Sequence, residues 1–291
     1  MTTIDAHQHV WNPATAEYAW LGPQHHPIDR AMTFEELQPL LRDAGVDATV
    51  LVQSADNDED TDAMFAVADR HPEIAAIVAY VPLDRPDRAA ERLSELRADS
   101  RFVGIRNLIH DLPDPDWLLG DIVDEGLDVL EKADVTFDLV SVLPRHLENL
   151  ATISERHPSL RIVIDHLSKP PIGGDPEPWW TLIARAAENP LVHAKVSGLY
   201  SSVGELGDWS TEAVRPFFDR ALEVFGPERL MFGGDWPISV LAGGYRRTWD
   251  SLSELLEGLS AADRARILGE TAAQFYRIDE HRLAAASGAH A

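Results

Sequence analysis

Eight short apolar runs rich in β-branched residues recur along the chain, each separated from the next by enough residues for a helix. They are Thr3 to Val10, Ala48 to Gln53, Ile74 to Val81, Phe102 to Arg106, Thr136 to Val140, Leu160 to His166, Val192 to Gly198 and Arg229 to Asp235. Amphipathic stretches at helical spacing lie between them, among them Thr33 to Ala44, Asp60 to Arg70, Pro86 to Ala98, Pro144 to Arg156, Trp179 to Glu188 and Thr211 to Phe225. Strands that alternate with helices pair in parallel, because each crossover helix returns the chain to the same end of the sheet. Eight such units predict an α/β protein closed into a (β/α)8 barrel of the TIM type rather than an open doubly wound sheet. The length fits one such domain over residues 1–278, followed by a C-terminal tail over 279–291 that reads as a surface extension expected to fray.

Local signals agree with this division. Thr33 before Phe34-Glu35-Glu36 has the form of an N-cap with acids in the first turn. His71-Pro72 and His157-Pro158 each end a helix, since a residue before proline avoids the α region; both histidines read as helix-terminal cations. The Gly/Pro-rich stretch from Lys169 to Pro178 follows a strand and reads as an active-face loop.

Composition narrows the chemistry. The absence of cysteine excludes disulfides and thiolate metal sites. No apolar run reaches the roughly 20 residues of a membrane span, and the first residues lack the pattern of a secretory signal, so the cytoplasm is the expected location. A formal net charge of −24 argues against nucleic acid and anionic membranes as partners. The expected partner is a small molecule; oligomeric state is not legible. Lys132, Lys169 and Lys195 are the only lysines. An acidic substrate needs a local basic exception, and Arg106 is the candidate.

The first strand ends His7-Gln8-His9, and residues two apart on a strand share a face. Both imidazoles therefore point into the barrel mouth, where they can grip a metal or polarise a carbonyl. The sixth strand is apolar until Asp165-His166, and the eighth ends Gly233-Gly234-Asp235, where the glycines permit close backbone approach. Barrel active sites lie at the C-terminal ends of strands, so His7, His9, His166 and Asp235 on one rim form the candidate site.

Asp5-Ala6-His7-Gln8-His9, Gly104-Ile105-Arg106, Asp165-His166 and Gly233-Gly234-Asp235-Trp236-Pro237 together resemble the amidohydrolase superfamily. More narrowly they resemble its sugar-lactonase branch, the L-fuconolactonase-like and L-rhamnonolactonase-like hydrolases, near the 2-pyrone-4,6-dicarboxylate lactonases. Trp11 with Tyr18-Ala19-Trp20-Leu21, Lys195-Val196-Ser197-Gly198-Leu199 and Leu241-Ala242-Gly243-Gly244-Tyr245 extend the match from Thr3 to about Ile278. The resemblance implies a distorted barrel and makes His7 and His9 the strand-one pair, His166 the strand-six histidine and Asp235 the strand-eight aspartate. Two-metal members of the superfamily carry a carboxylated lysine on strand four and a histidine on strand five. Here Arg106 ends strand four and Phe137-Asp138-Leu139-Val140 has no histidine, which argues against a two-metal site. Two readings stay open: one divalent metal, zinc first, held by His7, His9, His166 and Asp235, or no metal at all. Thr271 stands where relatives usually have Asn, and carries no functional reading.

Lactone hydrolysis needs an activated water, a stabilised oxyanion and a proton for the departing alkoxide. Asp235 is expected as the general base, with His166, the His7/His9 pair or a metal facing the oxyanion. Arg106 is expected to bind a substrate carboxylate or hydroxyl array through its fork, the alternative being a structural ion pair. Lys195 either reaches a substrate oxygen or pairs beneath the rim. Trp236, Trp20, Trp11 and Tyr245 are candidates to stack on a sugar ring, or else core residues. His25, His26 and His110 read as solvated loop residues, and His193 as lying at the opposite face. The competing readings are a metal-dependent aromatic-acid decarboxylase, which carbon dioxide release would reveal, and a non-catalytic sugar-acid-binding barrel, which tight lactone binding without turnover would reveal.

Overall fold

The computed structural model describes residues 2–200 and 205–289. Eight strands form one sheet in sequence order, every pair parallel. They are β1 (Ile4–Gln8), β2 (Ala48–Val52), β3 (Ile74–Ala79), β4 (Phe102–Asn107), β5 (Thr136–Leu139), β6 (Ile162–Ile164), β7 (Val192–Val196) and β8 (Leu230–Phe232). One helix follows each: α1 (Phe34–Ala44), α2 (Asp58–Ala68), α3 (Pro86–Leu96), α4 (Asp121–Lys132), α5 (Pro144–Arg156), α6 (Trp179–Ala186), α7 (Thr211–Phe225) and α8 (Tyr245–Leu255). The result is the expected (β/α)8 barrel, nearly closed.

The helices begin and end where side chains satisfy free backbone groups. The Thr33 amide donates to Glu36 at the start of α1, and Gly45 ends that helix with a left-handed φ of 70°. The Asn57 side chain accepts the Asp60 amide at the start of α2, with three acids in the first turn to complement the helix dipole. Alternation along the strands makes two apolar layers. Leu51, Ile77, Ile105, Phe137, Leu139, Ile162 and Ile164 face the helices, while Ile4, Ala6, Val50, Ala76, Val78, Val163 and Met231 fill the barrel interior.

After α8 come α9 (Ala261–Ala265), α10 (Thr271–Tyr276) and α11 (Glu280–Gly288). Phe275, Tyr276, Ile278 and Ala286 join the interior cluster and plug the N-terminal end of the barrel. The tail expected to fray carries an ordered helix from Glu280 to Gly288: Ala286 is fully buried and the Arg282 guanidinium donates to Ser100 Oγ. Its final two residues lie outside the described residues. No helix among the described residues is long and apolar enough to cross a membrane.

Closure between β8 and β1 is made by the segment just after β8. The Asp235 amide donates to the His7 carbonyl (2.8 Å) and the His9 amide to the Trp236 carbonyl (2.8 Å). Asp5 locks this seam. Its carboxylate accepts from the Gly234 amide (2.8 Å), the His7 amide (3.1 Å), the Tyr245 hydroxyl (2.7 Å) and the Gln8 side chain. Burial pushes the Asp5 carboxyl up to about 7 against the pull of these donors. Gly234 is required here, because a Cβ would stand 2.3 Å from the Tyr245 ring and 2.4 Å from Asp5 Oδ2. Gly234→Ala is expected to destabilise the fold by about 1–3 kcal/mol or more through overpacking at the seam, read as a lower urea midpoint.

Candidate active site

Two strands end earlier than the sequence suggests, and both early ends serve the site. β6 stops at Ile164, so Asp165 and His166 leave the sheet; β8 stops at Phe232, short of Asp235. Asp235 has φ 51°, and His166, Leu167, Ser168 and Lys169 form a left-handed turn with φ between 47° and 59°. Each such non-glycine residue costs about 1–2 kcal/mol in backbone energy. Gly198, with φ 54°, leaves the room this requires, since a Cβ there would lie 2.6 Å from His166 Nδ1 and 2.8 Å from Asp235 Oδ2.

A cavity of about 560 Å³ opens at the C-terminal ends of the strands. His9, His166 and Asp235 line it, with Arg106, Lys169, His110, Trp11 and Trp20 among the surrounding walls. His7 lies fully buried against this group, its ring 4.8 Å from that of His9 and 4.5 Å from that of His166. Asp235 Oδ1 is 3.6 Å from His9 Nε2 and 3.8 Å from His7 Nε2; Asp235 Oδ2 is 4.0 Å from His166 Nδ1. The four residues expected at one rim are thus together.

Their protonation follows from their partners. His9 Nδ1 is 2.8 Å from the Val52 carbonyl, which only accepts, so Nδ1 is the donor in this bond. His7 Nδ1 has a donor on one side, Lys195 Nζ at 3.1 Å, and an acceptor on the other, Asp165 Oδ1 at 3.3 Å. Either tautomer of His7 is therefore satisfied. His7 Nε2 and His9 Nε2 lie 3.1 Å apart, so a single proton between them makes a hydrogen bond. Burial lowers His7 well below the ordinary imidazole value and takes His166 down to about 3, so both are neutral at pH 7. Burial opposes ionisation of Asp235, but the neighbouring His166, His9, His7 and Lys169 outweigh it and hold the carboxyl below its usual range.

This donor set fits a metal. His7, His166 and Asp235 offer ligand atoms that all lie within 4.8 Å of one another, and Asp235 Oδ2 is buried without a hydrogen-bond partner. Neutral imidazoles and one carboxylate suit a borderline divalent ion. Arg106 and Asp138, at the ends of β4 and β5, are held by ion pairs. Arg106 Nε pairs with Asp165 Oδ2 (2.9 Å), and Asp138 accepts from Lys195 (2.5 Å) and the Tyr276 hydroxyl (2.7 Å).

The residues expected to touch substrate divide into two groups. Arg106 and Trp20 line the cavity. Arg106 Nη1 also donates to the Gln53 carbonyl (3.0 Å), so its ion pair and its cavity position coexist. Trp20 is pinned by its indole N–H on the Ser54 carbonyl (2.7 Å) and packs edge-on against Trp11 at 5.2 Å. Lys195, Trp236 and Tyr245 instead lie beneath the cavity, each at most 2 % exposed. Lys195 pairs with Asp138 and Asp165, the Trp236 amide donates to Gln8 Oε1, and Tyr245 donates to Asp5. Burial drives the Asp138 carboxyl up to about 6 despite Lys195; Asp165 is held well below its usual range because Lys195, His7 and Arg106 overcome its burial.

Sequence reasoning passed over Lys169, His110 and the structural carboxylates. Lys169 lines the cavity, and burial lowers its ammonium against the pull of Asp235. Its signal was available: it is one of three lysines in a chain whose other strong bases are all arginine. His110, read as solvated, lines the cavity with Nδ1 buried, and burial takes it down to about 4. His193 sits at the barrel bottom as expected, packed 4.6 Å from the Phe275 ring. Lys195→Met is expected to cost about 3–5 kcal/mol, because it leaves Asp138 and Asp165 buried with too little positive charge. Adding Asp138→Asn should recover part of that loss in urea unfolding.

A family model described as Amidohydrolase matches residues 4–278. An L-fucono-1,5-lactonase of Burkholderia ambifaria is 39% identical over 281 residues, covering 95% of this chain and 96% of that protein. A second L-fucono-1,5-lactonase, of Burkholderia multivorans, is 30% identical over 296 residues, covering 95% and 96%. The crystal structure of a Burkholderia multivorans amidohydrolase with bound zinc superposes with a TM-score of 0.88 at 29% identity, covering 96% of this chain and all of that one.

Proposed function

The chain belongs to the amidohydrolase family and is a lactone-hydrolysing enzyme, and from that premise we propose that it opens an L-fuconolactone-like sugar lactone with Asp235 as general base. The observation that carries this reading is the convergence of Asp235 with His7, His9 and His166 at the cavity floor, in a chain similar to L-fucono-1,5-lactonases over nearly its whole length.

In the proposed reaction Asp235 takes a proton from water as that water attacks the lactone carbonyl carbon. The carbonyl π electrons move onto oxygen. When the tetrahedral species collapses, the bond to the ring oxygen breaks; the ring oxygen leaves with its electron pair and receives the proton that Asp235 holds. The product is an open-chain hydroxy acid. An aspartate held below its usual range is a weak base, so its value lies in position. A divalent metal, zinc by the chemistry of the donor set, would be held by His7, His9, His166 and Asp235 and would supply a Lewis acid and a more acidic water. His166, fixed by Ser197 Oγ at 2.9 Å, faces the reacting carbonyl. Arg106 directs its unspent N–H groups at substrate hydroxyls, and Trp20 forms a rigid wall for the apolar face of the ring. Lys195, Trp236 and Tyr245 act as positioning residues below this layer.

Hydrolysis of a panel of sugar 1,4- and 1,5-lactones, followed by acid release, tests the proposal. Asp235→Asn is expected to lower kcat by about a hundred- to ten-thousandfold with little change in fold. Full turnover by that variant would remove Asp235 from the mechanism. Chelation is expected to lower the rate and added zinc to restore it; a rate that survives verified metal removal would assign the chemistry to Asp235 and the histidines alone. Carbon dioxide release from a hydroxybenzoate, or lactone binding without turnover, would overturn the lactonase reading.

A further inference from the structure

We propose that Lys169 is a catalytic residue whose ammonium group receives the negative charge that forms on the lactone carbonyl oxygen. This inference rests on the lactonase reading and adds to it a charged donor carried by the protein itself.

The first support is an imbalance of charge. The chain has 49 acidic residues, and its other two lysines are both ion-paired, Lys132 with Asp128 at 2.9 Å and Lys195 with Asp138 at 2.5 Å. Among the described residues Lys169 has no carboxylate within the 4.0 Å of an ion pair. Its contacts are a long hydrogen bond to the Gly198 carbonyl (3.4 Å) and the Tyr200 ring, 5.5 Å from Nζ to the centroid. An ammonium has three N–H groups, so at least one faces the cavity that Lys169 lines beside His166 and Asp235.

The second support is the backbone. The left-handed turn from His166 to Lys169 is closed by the Lys169 amide on the His166 carbonyl at 2.9 Å, a three-residue repeat. At that repeat residues i and i+3 project to the same side. The strained turn therefore delivers both His166 and Lys169 to one cavity. A strand continued through Asp165 and His166 would place residues 166 and 169 on opposite faces. Four consecutive non-glycine residues in this conformation are a costly way to build a loop, and such strain concentrates where it positions functional groups.

The third support is the chemistry still wanting at the site. His9 commits its Nδ1 N–H to the Val52 carbonyl, so that donor is spent away from the cavity. Lys169 supplies a donor with a full charge. During attack its N–H bond to the carbonyl oxygen strengthens as the π electrons move there. After the ring oxygen departs with its electron pair and the proton from Asp235, the same oxygen belongs to the product carboxyl group, which ionises by losing its remaining proton to water and stays paired with the ammonium.

The absence of native cysteine allows a clean test. Lys169→Met and Lys169→Cys are each expected to lower kcat about a hundredfold or more, with a smaller change in KM. Alkylating the single cysteine of Lys169→Cys with 2-bromoethylamine, to completion by mass spectrometry, rebuilds an ammonium side chain of lysine length and is expected to restore most of the lost kcat. Full kcat in folded Lys169→Met would overturn the proposal. So would a fully aminoethylated protein with native circular dichroism but no gain over Lys169→Cys. A wild-type enzyme inactive on every lactone would instead overturn the lactonase reading, and this inference with it.

Discussion

The Asp165 carboxylate is the interaction on which the site depends. One oxygen meets Lys195 of β7 at 3.1 Å and His7 of β1 at 3.3 Å; the other meets Arg106 of β4 at 2.9 Å. A single buried anion thereby ties three non-adjacent strands across the barrel interior. Asp138, paired with Lys195 and Tyr276, carries the network to the bottom plug formed by α10. Two carboxylates face one lysine and one arginine, so the interior charge balances even though the chain as a whole is strongly acidic. Such a network gains little over apolar packing in stability, but it fixes the His7 ring with a donor and an acceptor on the same nitrogen.

A layered site follows. The lowest layer is ionic and closed to solvent. Above it stand His7, His9, His166 and Asp235, with His7 oriented by that layer, His9 by the Val52 carbonyl and His166 by Ser197 Oγ. The top layer is the cavity wall, where Arg106, Lys169 and Trp20 are free to meet a ligand. Arg106 belongs to both ends of this arrangement: Nε is spent on Asp165, while the rest of the guanidinium remains at the wall.

Much of this was legible in the sequence, for physical reasons. The barrel follows from eight apolar runs and the helices between them, and the four-residue rim from histidines and an aspartate at strand ends. What the sequence could not convey was depth. Lys195 and Tyr245 look like rim residues when counted along a strand or loop, yet their side chains point inward beneath the rim to Asp138, Asp165 and Asp5. The left-handed turn was equally hidden, since none of His166, Leu167, Ser168 and Lys169 is a glycine that would announce it. Lys169 was therefore read as the start of a loop. The alanines of the tail look featureless in sequence, yet Ala286 is small enough to sit buried against the barrel floor.

The seam after β8 joins stability to chemistry. The amide of Asp235 holds the barrel shut through the His7 carbonyl, while the carboxylate of the same residue faces the cavity. A fluctuation that parts β8 from β1 must therefore also dismantle the site. Conversely, any ligand that grips the Asp235 side chain adds its binding free energy to the closure of the sheet, at a level set by its concentration over its dissociation constant. Occupancy of the site therefore reinforces the same β8–β1 closure that the Asp235 and His9 amides make.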